Sequence, residues 1–225
     1  MARGHHEPEH EREGYAWADP PALPVPIETE RLVIRPLTIE DAPGMYGAVD
    51  ASRDHLLPWL AWARETHRDL AESTQFVVTQ AIRGERPLTR DGITMGVFDR
   101  AGGDLVGATG LHDLRRDTAS CETGYWLRHD RCGEGLMTET MRHWISALLR
   151  PQHARGFGLA RVRITCSAAN TRSTGIPERL GLRREVRQLG DLFIKGVGVT
   201  DRLGWGVLAH EWDCQAHAIR PGGSA

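Results

Sequence analysis

The residues of this chain whose types and spacing could do chemistry gather in one stretch, Glu122-Thr-Gly-Tyr-Trp-Leu-Arg-His-Asp-Arg-Cys-Gly-Glu-Gly-Leu-Met-Thr-Glu139. A strand-like run enters a turn holding Gly133 and Gly135, and a helix begins there. Glycine lets a backbone approach a ligand closely. The first N–H groups of a helix have no partner within it, and the helix dipole adds partial positive charge, so this is an anion site suited to a diphosphate. An ordinary strand–helix turn would have the same two glycines. No Gly-Lys-Ser/Thr follows, and the third glycine of a dinucleotide fingerprint is missing. Cys132 sits where a helix N-terminus would lower a thiol pKa. A bound diphosphate would cover it, so it is incidental.

Acid–base candidates lie close by. Strand alternation puts Glu122 on one face with Gly124 and Trp126, where the carboxylate is either a base or one end of a salt bridge. His112 is an imidazole suited to proton transfer near neutral pH, or a side chain packing a strand end. Asp191 is a second carboxylate, or a turn residue beside Gly190.

The elements that must position these groups alternate along the chain. Arg31 to Leu37 is a short β run ended by Pro36. A helix opens at Thr38 or Glu40 and runs through Asp50, helical character surrounds Asp54 to Trp62, and a further helix spans Asp69 to Gly84. Strands are expected at Ile93 to Phe98, Leu105 to His112 and Ser120 to Leu127, with a glycine-bearing turn at Asp99 to Asp104. A helix from Glu134 to Leu149, a strand at Arg161 to Cys166 and a helix from Arg172 to Leu180 follow, the last closed by Gly181. The final strands are expected at Leu182 to Gln188 and Leu203 to Trp212. This order predicts a mixed α/β sheet.

Composition narrows the function classes. The chain has 225 residues, room for one domain with a full core. Its formal charge of −2 argues against a nucleic-acid binder driven by bulk basicity. Lys195 is the only lysine. Coding bias in a GC-rich genome explains that, and arginine also suits phosphate-bearing ligands. Cys121, Cys132, Cys166 and Cys214 have neither metal-ligand spacing nor the density of a disulfide scaffold. No apolar run approaches the roughly 20 residues that span a membrane, and the N-terminus lacks a signal-peptide core. A cytoplasmic protein with no membrane partner is the expectation. Residues 1–24, with His5, His6 and His10, and residues 214–225 read as flexible arms around a domain at 25–213. No metal site is expected.

Cys132-Gly-Glu-Gly-Leu-Met-Thr-Glu139 resembles the acetyl-CoA pyrophosphate loop of the GNAT superfamily, in the form found in its ribosomal-protein N-terminal acetyltransferase branch. Three further segments agree in order: Ile27-Glu-Thr-Glu-Arg-Leu-Val-Ile-Arg-Pro-Leu37, His55-Leu-Leu-Pro-Trp-Leu-Ala-Trp62, and Asn170-Thr-Arg-Ser173 with the following Ile176, Glu178, Arg179, Leu180, Gly181 and Leu182. The resemblance covers about residues 27 to 213. It implies an α/β domain of mixed α+β character, with a mostly antiparallel central sheet flanked by helices. It also implies direct acetyl transfer from acetyl-CoA to a primary amine in a ternary complex, and by family analogy a homodimer. A protein N-terminal α-amine is the leading acceptor. A small amine (antibiotic, aminoacyl toxin or polyamine) and a non-catalytic acyl-CoA-binding module are the alternatives.

Roles follow from the resemblance. Glu122 is the expected base, with Asp191 as second carboxylate. Ser173 meets the cofactor sulfur, and capping of a helix by Ser173 or Asn170 is the competing reading. Trp126, Leu127, Arg128, Arg131, Cys132, Gly133, Glu134, Gly135, Leu136, Met137, Thr138 and Asn170 join Ser173 as cofactor-binding residues. Trp59, Trp62 and His112 face the acceptor, and at least one of the tryptophans is also readable as core. The chain departs from the family pattern in places. Glu134 stands where a basic residue is common and would repel a phosphate; Arg128 and Arg131 are the expected compensation. Pro177 asks for a helix that starts late enough to hold it in its first turn. The glycines between Gly190 and Gly206 fit a terminal hairpin poorly.

Overall fold

In the computed structural model the described residues are 17–20, 23 and 25–213. They form one sheet in the order β1-β2-β3-β4-β5-β6-β8-β7. β1 (Ile27–Glu28), β2 (Leu32–Pro36), β3 (Ile93–Asp99), β4 (Leu105–Arg115) and β5 (Ser120–Leu127) are successive antiparallel neighbours. β6 (Arg161–Ser167) joins β5 in parallel, and β7 (Arg183–Ile194) and β8 (Gly198–Leu208) close the order as an antiparallel hairpin.

Helices cover the two faces unequally. α1 (Ala42–Asp50) and α4 (Leu70–Gly84) lie against β2, β3 and β4, with the short α2 (Arg53–Leu56) and α3 (Trp62–Glu65) between them. α5 (Leu136–Leu149) and α6 (Thr171–Arg179) cover the other face. Apolar residues recur at helical spacing along α5, so Leu136, Met141, Trp144, Ile145 and Leu148 are all buried. They pack on Ile34, Met95, Val106, Cys121, Val162 and Ile164 from the sheet. Burying side chains of this size contributes about 1.5–3 kcal/mol each, which anchors α5 and the loop ahead of it.

Three expectations change. Residues 17–20 belong to the body, not to an arm: Trp17 is buried, its indole N–H donates to the Phe157 carbonyl at 2.8 Å, and Asp19 accepts from Arg116 at 2.7 Å. The remainder of both arms, with His5, His6, His10 and Cys214, lies outside the described residues. β7 runs on to Ile194 and β8 is shifted to Gly198–Leu208, beginning before Leu203 and ending short of Trp212, because Gly190 (φ 61°) sits in a bulge, while Gly196 and Gly198 (φ 86° and 99°) make the turn. α6 starts at Thr171, so Pro177 lies in its interior and not in its first turn. Among the described residues no helix is long and apolar enough to cross a membrane, and no group of three or more metal-ligating side chains gathers.

Candidate active site

β5 and β6 are paired only from Ser120↔Arg161 to Glu122↔Arg163. Beyond that point both strands continue without pairing to each other, and the sheet forks. Thr123 to Leu127 on one side and Ile164 to Ser167 on the other line a cleft of about 650 Å³. The prongs present backbone N–H and C=O groups that an extended amide-bearing ligand can pair with.

The cleft ends at the glycine loop. Gly133 has φ 92° and Gly135 φ 80°, and Gly135 is the N-cap of α5 with no side chain capping the first turn. The first N–H groups of α5 are therefore left to a ligand. Gly133, Gly135, Leu136, Met137 and Thr138 line the cleft, as do Trp126, Leu127, Cys132, Asn170 and Ser173.

The loop's own charges are paired elsewhere. Arg131 binds Glu134 at 3.0 Å and Asp99 at 3.0 Å, and Arg128 binds Asp130 at 2.6 Å. Arg128, Arg131 and the Glu134 side chain do not line the cleft. Positive charge comes instead from two α6 residues that the sequence reading missed. Arg179 donates to Thr138 Oγ1 at 3.3 Å, and Arg172 donates to the ring of His55 at 3.5 Å. Among the described residues neither has a carboxylate within 4.0 Å, and both line the cleft. The signal was present in Asn170-Thr-Arg-Ser-Thr-Gly-Ile-Pro-Glu-Arg179, where the two arginines stand seven apart, two helical turns, and so share a face. Burial, with Arg172 and His129 adding repulsion, lowers the His55 pKa and favours a neutral ring.

Glu122 stands at the fork. Thr165 Oγ1 donates to it at 2.6 Å, Arg163 lies at 3.5 Å, and His112 Nε2 is 3.7 Å away. Burial pushes the Glu122 carboxyl up, but His112, Thr165 and Arg163 outweigh it and hold the group below its ordinary value. The alternation expected for β5 is present. Cys121 and Thr123 are buried, with Trp144 of α5 donating to Thr123 at 3.1 Å. On the opposite face Trp126 packs against Trp62 at 6.0 Å, and a Cβ at Gly124 would meet His112 at 3.5 Å.

Other candidates separate. Trp59 lines the cleft, whereas Trp62 packs between Trp126 and His67 at the edge of the core beneath α1. Asp191 lies in the β7 bulge as the ion-pair partner of Arg202, at 2.7 Å, and it is Arg202 that reaches the cleft. Burial raises the pKa of the Cys132 thiol, against a nucleophilic thiolate.

Ser173 is held in an unusual way. Asn170 caps α6 by accepting from the Ser173 N–H at 3.2 Å. Pro177 has no N–H to give the Ser173 carbonyl four residues back. The Tyr125 hydroxyl takes that place, donating to the Ser173 carbonyl at 3.0 Å and accepting from Ser173 Oγ at 3.2 Å. Tyr125→Phe is expected to strand that carbonyl and destabilise the fold by about 1–3 kcal/mol. Adding Pro177→Ala should recover part of the loss, because the substituted residue would restore the missing N–H. Denaturant titration of both variants checks this; equal stability of Tyr125→Phe and wild type would refute it.

Residues 31–183 match the family model described as the acetyltransferase (GNAT) domain. The chain belongs to this family. It is an acetyltransferase, and acetyl-CoA is the acetyl donor of the GNAT enzymes. A Bacillus subtilis (strain 168) protein, YdaF, provisionally named a ribosomal N-acetyltransferase, is 26% identical over 185 residues, 82% of this chain and 94% of its own. The ribosomal L7/L12 α-N-protein acetyltransferase RimL, solved with coenzyme A, superposes with a TM-score of 0.70 at 17% identity, covering 81% of this chain and 97% of its own. The microcin C7 self-immunity acetyltransferase MccE, solved with acetyl-CoA and AMP, gives 0.67 at 14%, covering 80% and 93%. These two likenesses show a shared fold. The GNAT chain here has the parts that an acyl-CoA needs: a forked sheet with unpaired backbone edges, an uncapped helix N-terminus behind two glycines, and, among the described residues, cations without carboxylate partners.

Proposed function

We propose that this GNAT enzyme acetylates the α-amine at the N-terminus of a protein. The carrying observation is the fork itself: Glu122 is the last residue of β5 paired with β6, so its half-buried carboxylate sits at the apex, next to Thr123, the first β5 residue that lines the cleft. The relatives named for ribosomal proteins support the same acceptor class.

The backbone edges of Thr123 to Leu127 and Ile164 to Ser167 hold the pantetheine arm in this reading. The N–H groups of the first turn of α5, behind Gly133 and Gly135, hold the diphosphate, with Arg172 and Arg179 adding charge-assisted hydrogen bonds. When bound, acetyl-CoA supplies a thioester carbon open to attack by a neutral amine. Glu122, ionised at neutral pH, takes up the proton that the attacking neutral amine sheds as the new N–C bond forms, directly or through His112 or water. Ser173 holds a proton at Oγ, and turning that hydroxyl away from Tyr125 offers it to a departing thiolate. Trp59 is the apolar wall of the acceptor side.

The test is acetyl-CoA binding by calorimetry, then thiol release across N-terminal peptides and small amines in the same preparation. The proposal expects saturable turnover of peptides with a free α-amine and none with a blocked one. Turnover confined to small amines would overturn the acceptor. Binding with no turnover of any acceptor would overturn the enzyme reading in favour of an acyl-CoA-binding module.

A further inference from the structure

The segment Ile27 to Leu37, which the family match covers from Arg31 onward, lies on the far edge of the sheet from the fork and has no part in the chemistry above. Its polar residues reach the glycine loop from behind. Thr29 is fully buried, and its hydroxyl donates to Glu139 Oε1 at 2.5 Å. The Arg31 backbone N–H donates to the same oxygen at 3.0 Å, and Arg31 Nε and Nη2 each reach Glu139 Oε2 at 2.7 Å. The remaining arm of the guanidinium, Nη1, donates to the Glu134 carbonyl at 2.9 Å. Glu139 belongs to the first turn of α5.

We propose that Arg31 is a positioning residue for the acetyl-CoA diphosphate loop, aiming the Glu134–Gly135 peptide. In a planar trans peptide the C=O and the N–H point in opposite directions. A donor fixed behind the Glu134 carbonyl thereby turns the Gly135 N–H the other way. Gly135 lines the cleft and the Glu134 side chain does not, so the other way is toward the ligand. Gly135 has φ 80° and stands beside Gly133 at φ 92°, so the loop has little stiffness of its own and needs an outside brace. Glu139 is what makes Arg31 a brace: two contacts to one carboxylate fix the plane of the guanidinium, leaving one donor aimed at the loop. The Glu139 carboxyl, against the upward push of burial, is held below its ordinary value by Thr29 and Arg31, so the anchor stays charged at neutral pH. The sequence separation of 103 residues between Arg31 and Glu134 hid this contact from local pattern.

The proposal rests on acetyl-CoA being the ligand of the cleft, and the experiment separates the two claims. Arg31→Ala, Arg31→Lys and Glu139→Gln are compared with wild type in the full chain by acetyl-CoA calorimetry, by kcat and KM, by melting temperature, and by amide hydrogen exchange over residues 132–137. Arg31→Ala is expected to raise the Kd and KM for acetyl-CoA about tenfold, the scale of one lost charge-assisted hydrogen bond, with kcat at saturation changed less than about twofold and faster exchange at the loop. Arg31→Lys should not rescue the affinity, because an ammonium cannot span Glu139 and the Glu134 carbonyl together. Glu139→Gln should move Kd in the same direction by a smaller factor. Wild-type binding with unchanged Kd in Arg31→Ala would overturn the positioning role alone. A fall in melting temperature with Kd unchanged would also overturn it, since a structural tie would do that. Failure of wild type to bind acetyl-CoA would overturn both claims.

Discussion

Glu122→Gln is expected to lower kcat by about a hundredfold, the lower end of what a positioned acid–base group contributes, while leaving the KM for acetyl-CoA within about twofold. The glutamine keeps the size of the side chain and can still accept from Thr165, whose hydroxyl lies 2.6 Å away. Arg163 loses one partner but keeps Asp113 at 2.6 Å. The fold should therefore survive, with a loss of about 1–2 kcal/mol or less. What the variant removes is the negative charge at the fork. The pH profile distinguishes this from a packing effect. Burial raises the Glu122 pKa, but its three partners lower it more, so the carboxylate is the resident form down to acid pH. As pH falls toward neutrality, activity is then lost because the acceptor protonates; an α-amine titrates near pH 7.7–8.0. Wild type should show that limb, unmoved by Glu122. The variant should keep the limb and sit lower at every pH. Stopped-flow thiol release from pH 5.5 to 9.5 measures both. Activity within about threefold of wild type would remove Glu122 from the chemistry and leave His112 as the candidate.

What was legible in the sequence follows the range of the interactions involved. The glycine loop was readable because its requirement is local: two residues at positive φ ahead of a helix call for Gly133 and Gly135. The face shared by Glu122, Gly124 and Trp126 was readable because strands alternate with period two. The fork was not, because it is set by pairing between β5 and β6, which are distant in the chain and part after one short stretch. Local pattern also misled where polarity was uniform. β7 is exposed at almost every residue, so its alternation carries no buried face, and its glycines resembled loop when they were bulge and turn. Pro177 shows the same limit from the other side. A proline in a helix interior looks destabilising until its orphaned carbonyl is found to have Tyr125 as donor, 48 residues away. Arg128 and Arg131 were the natural phosphate ligands by proximity in sequence, and only the ion pairs with Asp130, Asp99 and Glu134 remove them from the cleft.

That redistribution of charge makes the second large prediction. Arg172 and Arg179 replaced together by Ala are expected to raise the Kd for acetyl-CoA by about 10²-fold, whereas Arg131→Ala should raise it less than about threefold. A charge-assisted hydrogen bond is worth about 1.5–3 kcal/mol, and each 1.4 kcal/mol is tenfold in Kd. Both α6 arginines are exposed, so the lower end applies to each. Arg131 already satisfies two carboxylates, and a phosphate recruiting it must first break those pairs and leave Glu134 unpaired beside another anion. The gain would largely cancel. The α6 arginines carry no such cost, since their partners are a threonine hydroxyl and an imidazole that burial and Arg172 favour as neutral. Salt dependence supplies the independent check. Affinity carried by exposed cation–phosphate contacts weakens as ionic strength rises, so the wild-type Kd should climb between 50 mM and 500 mM salt, and the double variant should respond much less. Calorimetry against acetyl-CoA and against dephospho-CoA, which lacks the 3′-phosphate, shows which phosphate these arginines serve. A flat salt response in wild type, or a larger loss in Arg131→Ala than in the double variant, would mean that the loop exchanges its ion pairs on binding and that α6 is a bystander.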